Sequence, residues 1–229
     1  MALIHYLTRI QFDFGALEFL PQELGLLGLK RPLLVTDPGV IAAGHVQRVH
    51  LICPGIPVFG ETLSNPTEAG VSKALELYRQ EGCDGLIALG GGSAMDLGKA
   101  VALLATHPGN LEDYGVLNGG SEKIGKVAPL TAIPTTSGTG SEVGRACSIT
   151  LNNGGKTACV SPKLIPACAI CDPELSLTLP PAMTAATGMD ALTHGIESFL
   201  SNRSNPPAES HVGGFRNSKA TTQGISLEN

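Results

Sequence analysis

Three short stretches of the chain combine residue types that bind or activate a ligand. The first is Gly90-Gly91-Gly92-Ser93-Ala94-Met95-Asp96, which follows an apolar run and precedes a helical one. Glycines there let backbone N–H groups approach a pyrophosphate without a Cβ in the way, and a helix start adds partial positive charge. Met95 stands where the third glycine of a strict G-x-G-x-x-G would be, so a merely tight turn stays open as the other reading. The second stretch is Thr135-Thr136-Ser137-Gly138-Thr139-Gly140-Ser141-Glu142, again directly after an apolar strand. Its hydroxyls and glycines offer many short donors to a phosphate or a nicotinamide amide, against the alternative of a plain surface loop. The third is Gly188-Met189-Asp190-Ala191-Leu192-Thr193-His194. Asp190 and His194 stand four apart, so on a helix both side chains leave one face and can share a cation, or simply pair with each other. A single residue joins this list: Asp37 ends an apolar run, where a carboxylate either accepts ribose hydroxyls and repels a 2′-phosphate, favouring NAD over NADP, or caps a helix.

These residues need elements to hold them. From Arg31 onward short apolar runs alternate with longer periodic ones, the signature of βα units stacked into a parallel sheet. Strands are expected at 32–36, 56–59, 86–89 and 129–135. Helices are expected at 40–50, 67–81 and 94–105, the second using Val71, Ala74, Leu75 and Tyr78 as its apolar face. Residues 144–172 read as β-rich connections turning at Asn152-Asn153-Gly154-Gly155. After Asp172 the pattern changes, because Pro180-Pro181 sets up a helix start and 182–200 carry no strand signal. The expected organisation is an α/β parallel-sheet domain over 1–172, the first helices of a second domain over 173–203, and a polar, disordered tail over 204–229.

Composition narrows the function classes. The chain has 229 residues, enough for an ordinary buried core, and is 42% hydrophobic against 15% charged, which fits a packed globular protein. A net charge of −5 with scattered Lys and Arg offers no footprint for nucleic acid. Six cysteines lie partly in apolar runs, where Cys acts as a small hydrophobe. Cys168 and Cys171 form a C-x-x-C with no second pair at zinc-binding spacing, so reduced intracellular thiols are the better reading than a metal or redox pair. The N-terminus has no leader pattern and no apolar run reaches membrane-spanning length, so a cytoplasmic protein without membrane partners is expected.

Taken together, GGGSAMDLGKA (90–100), IPTTSGTGSEV (133–143), CDPELSLTLPP (171–181) and ATGMDALTHGIESFLS (186–201) resemble, in order and approximate spacing, the iron-containing (group III) alcohol dehydrogenases. The resemblance implies a parallel-sheet dinucleotide-binding domain followed by the start of an all-helical, dehydroquinate synthase-like domain. It implies NAD and one divalent metal, Fe2+ or alternatively Zn2+, acting on a small alcohol or aldehyde, and it leaves a homodimer open. By position, Asp37 would face the adenosine ribose and Asn65 would line the cofactor cleft. Gly91, Gly92, Ser93 and Asp96 would border the pyrophosphate and its ribose, and Thr135, Thr136, Thr139 and Ser141 the phosphate and nicotinamide side. Lys156 would reach the nicotinamide ribose, and Asp190 and His194 would be two metal ligands. The family completes its metal site with two further histidines well beyond this pair, whereas here the one later histidine, His211, lies in the polar tail. A truncated member with an incomplete metal site and impaired activity is therefore expected, the alternative being a non-catalytic nucleotide-binding fragment.

Overall fold

A computed structural model describes residues 8–200, with side chains through 197. Its strands are β1 (Arg9–Phe12), β2 (Pro32–Val35), β3 (Val58–Phe59), β4 (Gly85–Gly90), β5 (Leu130–Pro134), β6 (Ala146–Thr150), β7 (Lys156–Val160) and β8 (Cys168–Cys171). The helices are α1 (Leu20–Leu27), α2 (Pro38–Ala42), α3 (His45–Ile52), α4 (Glu68–Gln80), α5 (Gly92–Leu104) and α6 (Pro181–Leu200).

Six strands form one sheet in the order β1-β8-β5-β4-β2-β3, every pairing parallel. A parallel sheet covered on both faces needs strands that are apolar throughout rather than alternating, and β2 and β4 are buried at every position. Leu33, Val35, Leu86, Ala88 and Ala132 face one core with α4 and α5. Leu34, Ile87, Leu89, Ile133 and Ile170 face the other with α1 and α3. Burying one such leucine fully is worth about 1.5–3 kcal/mol, so a pair like Leu33 and Leu34, inaccessible on opposite faces, fixes β2 in the middle layer.

Helix ends explain where the chain turns. Thr67 caps α4 by accepting from the Gly70 N–H at 3.1 Å, so the helix occupies the stretch expected for it, with Val71, Ala74 and Leu75 buried. The helix expected over 40–50 is instead two. Gly44, at φ 82°, breaks it in a left-handed conformation that L side chains rarely adopt, and α3 restarts after it. Helix α5 starts at Gly92, inside the glycine run rather than at Ala94.

The 144–172 stretch divides in two. Strands β6 and β7 form the expected hairpin around Asn152–Gly155, with Gly154 at φ 82°. Strand β8, however, enters the main sheet between β1 and β5. Strand β1 was not anticipated: it is an edge strand, mostly exposed, and its polar residues disguise it. Arg9 and Gln11 both donate to the inaccessible Glu23 carboxylate, tying β1 to α1.

Cys168 and Cys171 sit three apart on β8, so their side chains leave opposite faces of the sheet and cannot pair. Burial pushes their thiols up to about 12 and about 11, which keeps both protonated. Among the described residues no helix is long and apolar enough to cross a membrane. The polar stretch 204–229, with His211, lies outside the described residues.

Candidate functional site

Strands β2 and β4 are neighbours, yet the helices that follow them, α3 and α5, pack on opposite faces of the sheet. Chains diverging this way open a crevice at the carboxyl ends of the two strands, the place where open parallel sheets bind ligands. Asp37 stands at the end of β2 and the Gly90-Gly91-Gly92 turn at the end of β4.

Gly90 adopts φ 149°, and a Cβ on it would lie 2.9 Å from the Ala94 Cβ and 3.2 Å from the Asp37 Oδ2. Only glycine lets the chain turn this sharply into α5. The Asp37 carboxylate accepts from the Val40 N–H at 3.0 Å, so its capping role is present, and its second oxygen lies over the glycine turn. Helix α5 differs from α2 and α4 in that no side chain caps it. The N–H groups of its first turn have no intrahelical partner and point, with the helix dipole, into the crevice.

The hydroxyl turn arises from the next strand over. β4 and β5 run in register through Gly90↔Pro134, and the Thr135 N–H donates to the Gly90 carbonyl at 3.0 Å. Both turns therefore leave the same edge of the sheet and touch. A Cβ on Gly91 would meet Thr136 at 3.4 Å, and one on Gly92 would lie 2.9 Å from the Thr139 Cγ2. Glycine at 92 is required by this approach.

A cleft of about 530 Å³ opens beside the contact, lined by Asn65, Gly92, Ser93, Asp96, Thr139, Ser141 and Lys156 among the expected residues. The Lys156 Nζ donates to the Asn65 Oδ1 at 3.2 Å across the mouth. The Ser93 hydroxyl donates to the Ser64 carbonyl at 2.6 Å, holding the 64–66 loop against α5. Asp37, Gly91, Thr135 and Thr136 sit at the strand ends next to the cleft rather than on its wall.

Asp96 is less open than its sequence position suggested. Its Oδ1 accepts from the Ser141 hydroxyl at 3.1 Å and its Oδ2 from the Ser148 N–H at 3.0 Å. Burial raises its pKa above the ordinary aspartate value, and the nearby Lys99 ammonium and these two donors work against that rise. Sequence reasoning missed Lys99, buried behind Ser141, as well as Gly144, Ala146, Ser148 and Ala158, which line the cleft. One signal was available for Lys99: it is the lone charge in the apolar run Leu97–Ala105.

On α6, the Asp190 Oδ1 and His194 Nε2 lie 3.7 Å apart, on one helix face as their spacing implies. The helix is held near the hydroxyl turn, since a Cβ on Gly138 would lie 2.7 Å from the Thr187 carbonyl oxygen. Two donors this close fit two positions of a divalent ion's coordination shell, and among the described residues no group of three His, Cys, Asp or Glu stands together. Met189, Leu192 and Ile196 form a half-exposed apolar stripe on the same helix.

A family model for iron-containing alcohol dehydrogenase matches residues 8–173. A curated relative, the 4-hydroxybutyrate dehydrogenase of Cupriavidus necator, is 56% identical over 212 residues, covering 91% of this chain and 56% of the relative. Among solved structures, a 1,3-propanediol oxidoreductase superposes with a TM-score of 0.81 at 37% identity, over 89% of this chain and 55% of its own. The sulfoacetaldehyde reductase of Bifidobacterium kashiwanohense, solved in complex with NAD+, superposes with a TM-score of 0.81 at 34% identity, over 90% of this chain and 55% of its own. The chain thus spans about half the length of the relatives it matches.

Proposed function

The chain belongs to the iron-containing alcohol dehydrogenase family, and on that premise we propose that it binds NAD in the crevice between Asp37 and the Gly90–Gly92 turn and serves hydride transfer between NAD and a small alcohol. The contact between the two turns carries this reading: Gly92 and Thr139 meet at the uncapped start of α5, so donors from both loops converge on one point.

The first-turn N–H groups of α5 and the Thr139 hydroxyl would hold the pyrophosphate, Asp37 would accept from the adenosine ribose, and Asn65 with Lys156 would hold the far ribose. Asp190 and His194 would hold Fe2+, or alternatively Zn2+, at two of its positions. When bound, NAD supplies the hydride acceptor and the ion a Lewis acid that lowers the pKa of the alcohol. The name of the Cupriavidus relative favours an alcohol that carries a carboxylate.

A second reading rests on the metal pair. With two donors from the described residues, the ion would be held weakly, and the chain would then act as a nucleotide-binding module without turnover. Incubating the purified chain with Fe2+, NAD+ and, in turn, 4-hydroxybutyrate, 1,3-propanediol and choline separates the two. NADH formation, greatest with 4-hydroxybutyrate, supports the dehydrogenase; NAD binding without NADH from any of the three supports the module.

A further inference from the structure

Lys99 is a buried cation, 1% exposed, and none of the roles above uses it. Its ammonium lies 2.7 Å from the Ser141 carbonyl oxygen, 2.9 Å from the Ser141 hydroxyl, 2.9 Å from the Gly144 carbonyl oxygen and 3.0 Å from the Ala146 carbonyl oxygen. All four acceptors belong to the segment that carries the hydroxyl turn into β6. The Ser141 hydroxyl, accepting from Lys99, passes its own hydrogen to Asp96 Oδ1 at 3.1 Å, and Asp96 Oδ2 takes the Ser148 N–H at 3.0 Å.

Lys99 and Asp96 are one turn apart on α5, so a single rigid helix face grips residues 141–148 from both ends. From Ala146 the segment is held by pairing with β7, but residues 141–145 before it form a loop, and three carbonyls of the segment turn inward to Lys99. Without the cation the Gly144 and Ala146 carbonyls would lose this donor and the Ser141 carbonyl would keep only the Gly144 N–H at 3.2 Å, and folded chains avoid buried carbonyls without donors by moving them out to water. Reactive roles for Lys99 do not fit, because its N–H groups are all directed at protein oxygens and the amine does not reach the open cleft.

We propose that Lys99 is a positioning residue for the cofactor: its ammonium, relayed through Ser141 to Asp96, holds the 139–148 wall in the shape that receives NAD. The proposal deepens the NAD-binding reading and rests on it for the identity of the ligand. The helix that offers its N-terminus to the pyrophosphate thereby also sets the distance of the opposite wall.

The test compares the full chain with Lys99→Met and with Ser141→Ala, which keeps the carbonyl contacts but cuts the relay. Two quantities are read: NAD affinity by calorimetry, and amide hydrogen exchange peptide by peptide without ligand. Lys99→Met is expected to weaken NAD binding by about tenfold or more. It should also speed exchange in peptides spanning 139–148 by about tenfold, with the strands of the sheet unchanged. Ser141→Ala should fall between wild type and Lys99→Met in both. Unchanged affinity with unchanged exchange overturns the proposal, and so does faster exchange spread evenly over the sheet, which marks Lys99 as a fold-wide support. Should the wild type bind no NAD at all, the functional reading fails on that arm and the cofactor role with it. The exchange pattern alone then reports whether Lys99 holds the wall.

Discussion

Gly92→Ala is expected to damage the junction between the two turns while leaving the rest of the molecule intact. The added Cβ would stand 2.9 Å from the Thr139 Cγ2, 3.2 Å from its Oγ1 and 3.3 Å from its Cβ. Carbon atoms prefer about 3.5–4.0 Å, so Thr139 has to retreat by roughly half an ångström or more. Overpacking of this kind costs about 1–3 kcal/mol. Alanine recovers part of that, since it is up to about 1 kcal/mol better than glycine inside a helix and less so at its first residue. The net loss of stability should be about 1–2 kcal/mol.

The loss in ligand binding should be larger in proportion, because Thr139 is displaced from the position where it would donate to a phosphate. A hydrogen bond to a charged group is worth about 1.5–3 kcal/mol, which is roughly tenfold or more in Kd. Thr139→Ser removes the methyl group responsible for the shortest contact and keeps the hydroxyl. The double variant should therefore regain about 1 kcal/mol over the sum of the two single changes. Urea unfolding and calorimetric NAD titration of the four proteins measure both quantities. Strict additivity, or a Gly92→Ala chain with wild-type stability and affinity, would refute the claim that the two turns meet at this point.

Other outcomes follow from the same structure. Asp37→Ala should cost about 1 kcal/mol through loss of the α2 cap and should narrow the preference for NAD over NADP, both readable from unfolding and paired titrations. Glu23 is inaccessible; its burial opposes ionisation, but hydrogen bonds from Gln11 and Arg9 outweigh it and hold its pKa below the ordinary 4.5. A depressed carboxylate stabilises the fold above 4.5 and loses that contribution as pH falls through its own lower value. Glu23→Gln should thus cost about 1–2 kcal/mol at neutral pH, Arg9 being partly exposed, and its unfolding free energy should converge with that of wild type in acid. Asp172 accepts from the Gly15, Leu17 and Glu174 N–H groups at 3.0–3.2 Å, and Asp172→Ala should cost about 3 kcal/mol by urea unfolding, because each buried donor left unpaired is expensive.

Much of the sheet was readable because local chemistry and tertiary role agree. The run Leu86–Leu89 is apolar at every position because β4 is covered on both faces, and Thr67 marks the start of α4 because its hydroxyl caps it. The crevice was readable for a similar reason: glycines and hydroxyls at strand ends are the residues that a close backbone approach demands. What was hidden depends on partners distant in the chain. Among the described residues strand β1 has one neighbour, β8, and it carries Arg9 and Gln11 because these reach Glu23, so its pattern looks like a polar terminus. The break at Gly44 was invisible because glycine in an amphipathic run reads as a mild penalty until its positive φ is seen. Lys99 was passed over because a lysine on a helix is ordinarily a surface residue. Here α5 has the sheet on one side and the β6–β7 hairpin on the other, so its charge had to find acceptors inside.

Titrating NAD+ into the full chain by calorimetry is the most direct check that the Gly90–Gly92 turn and the Thr135–Ser141 turn form one dinucleotide crevice. The expected result is saturable binding of one NAD+ per chain, weaker for NADP+ and weakened in Gly92→Ala. A chain that unfolds cooperatively, and so is folded, yet takes up no NAD+ would contradict it.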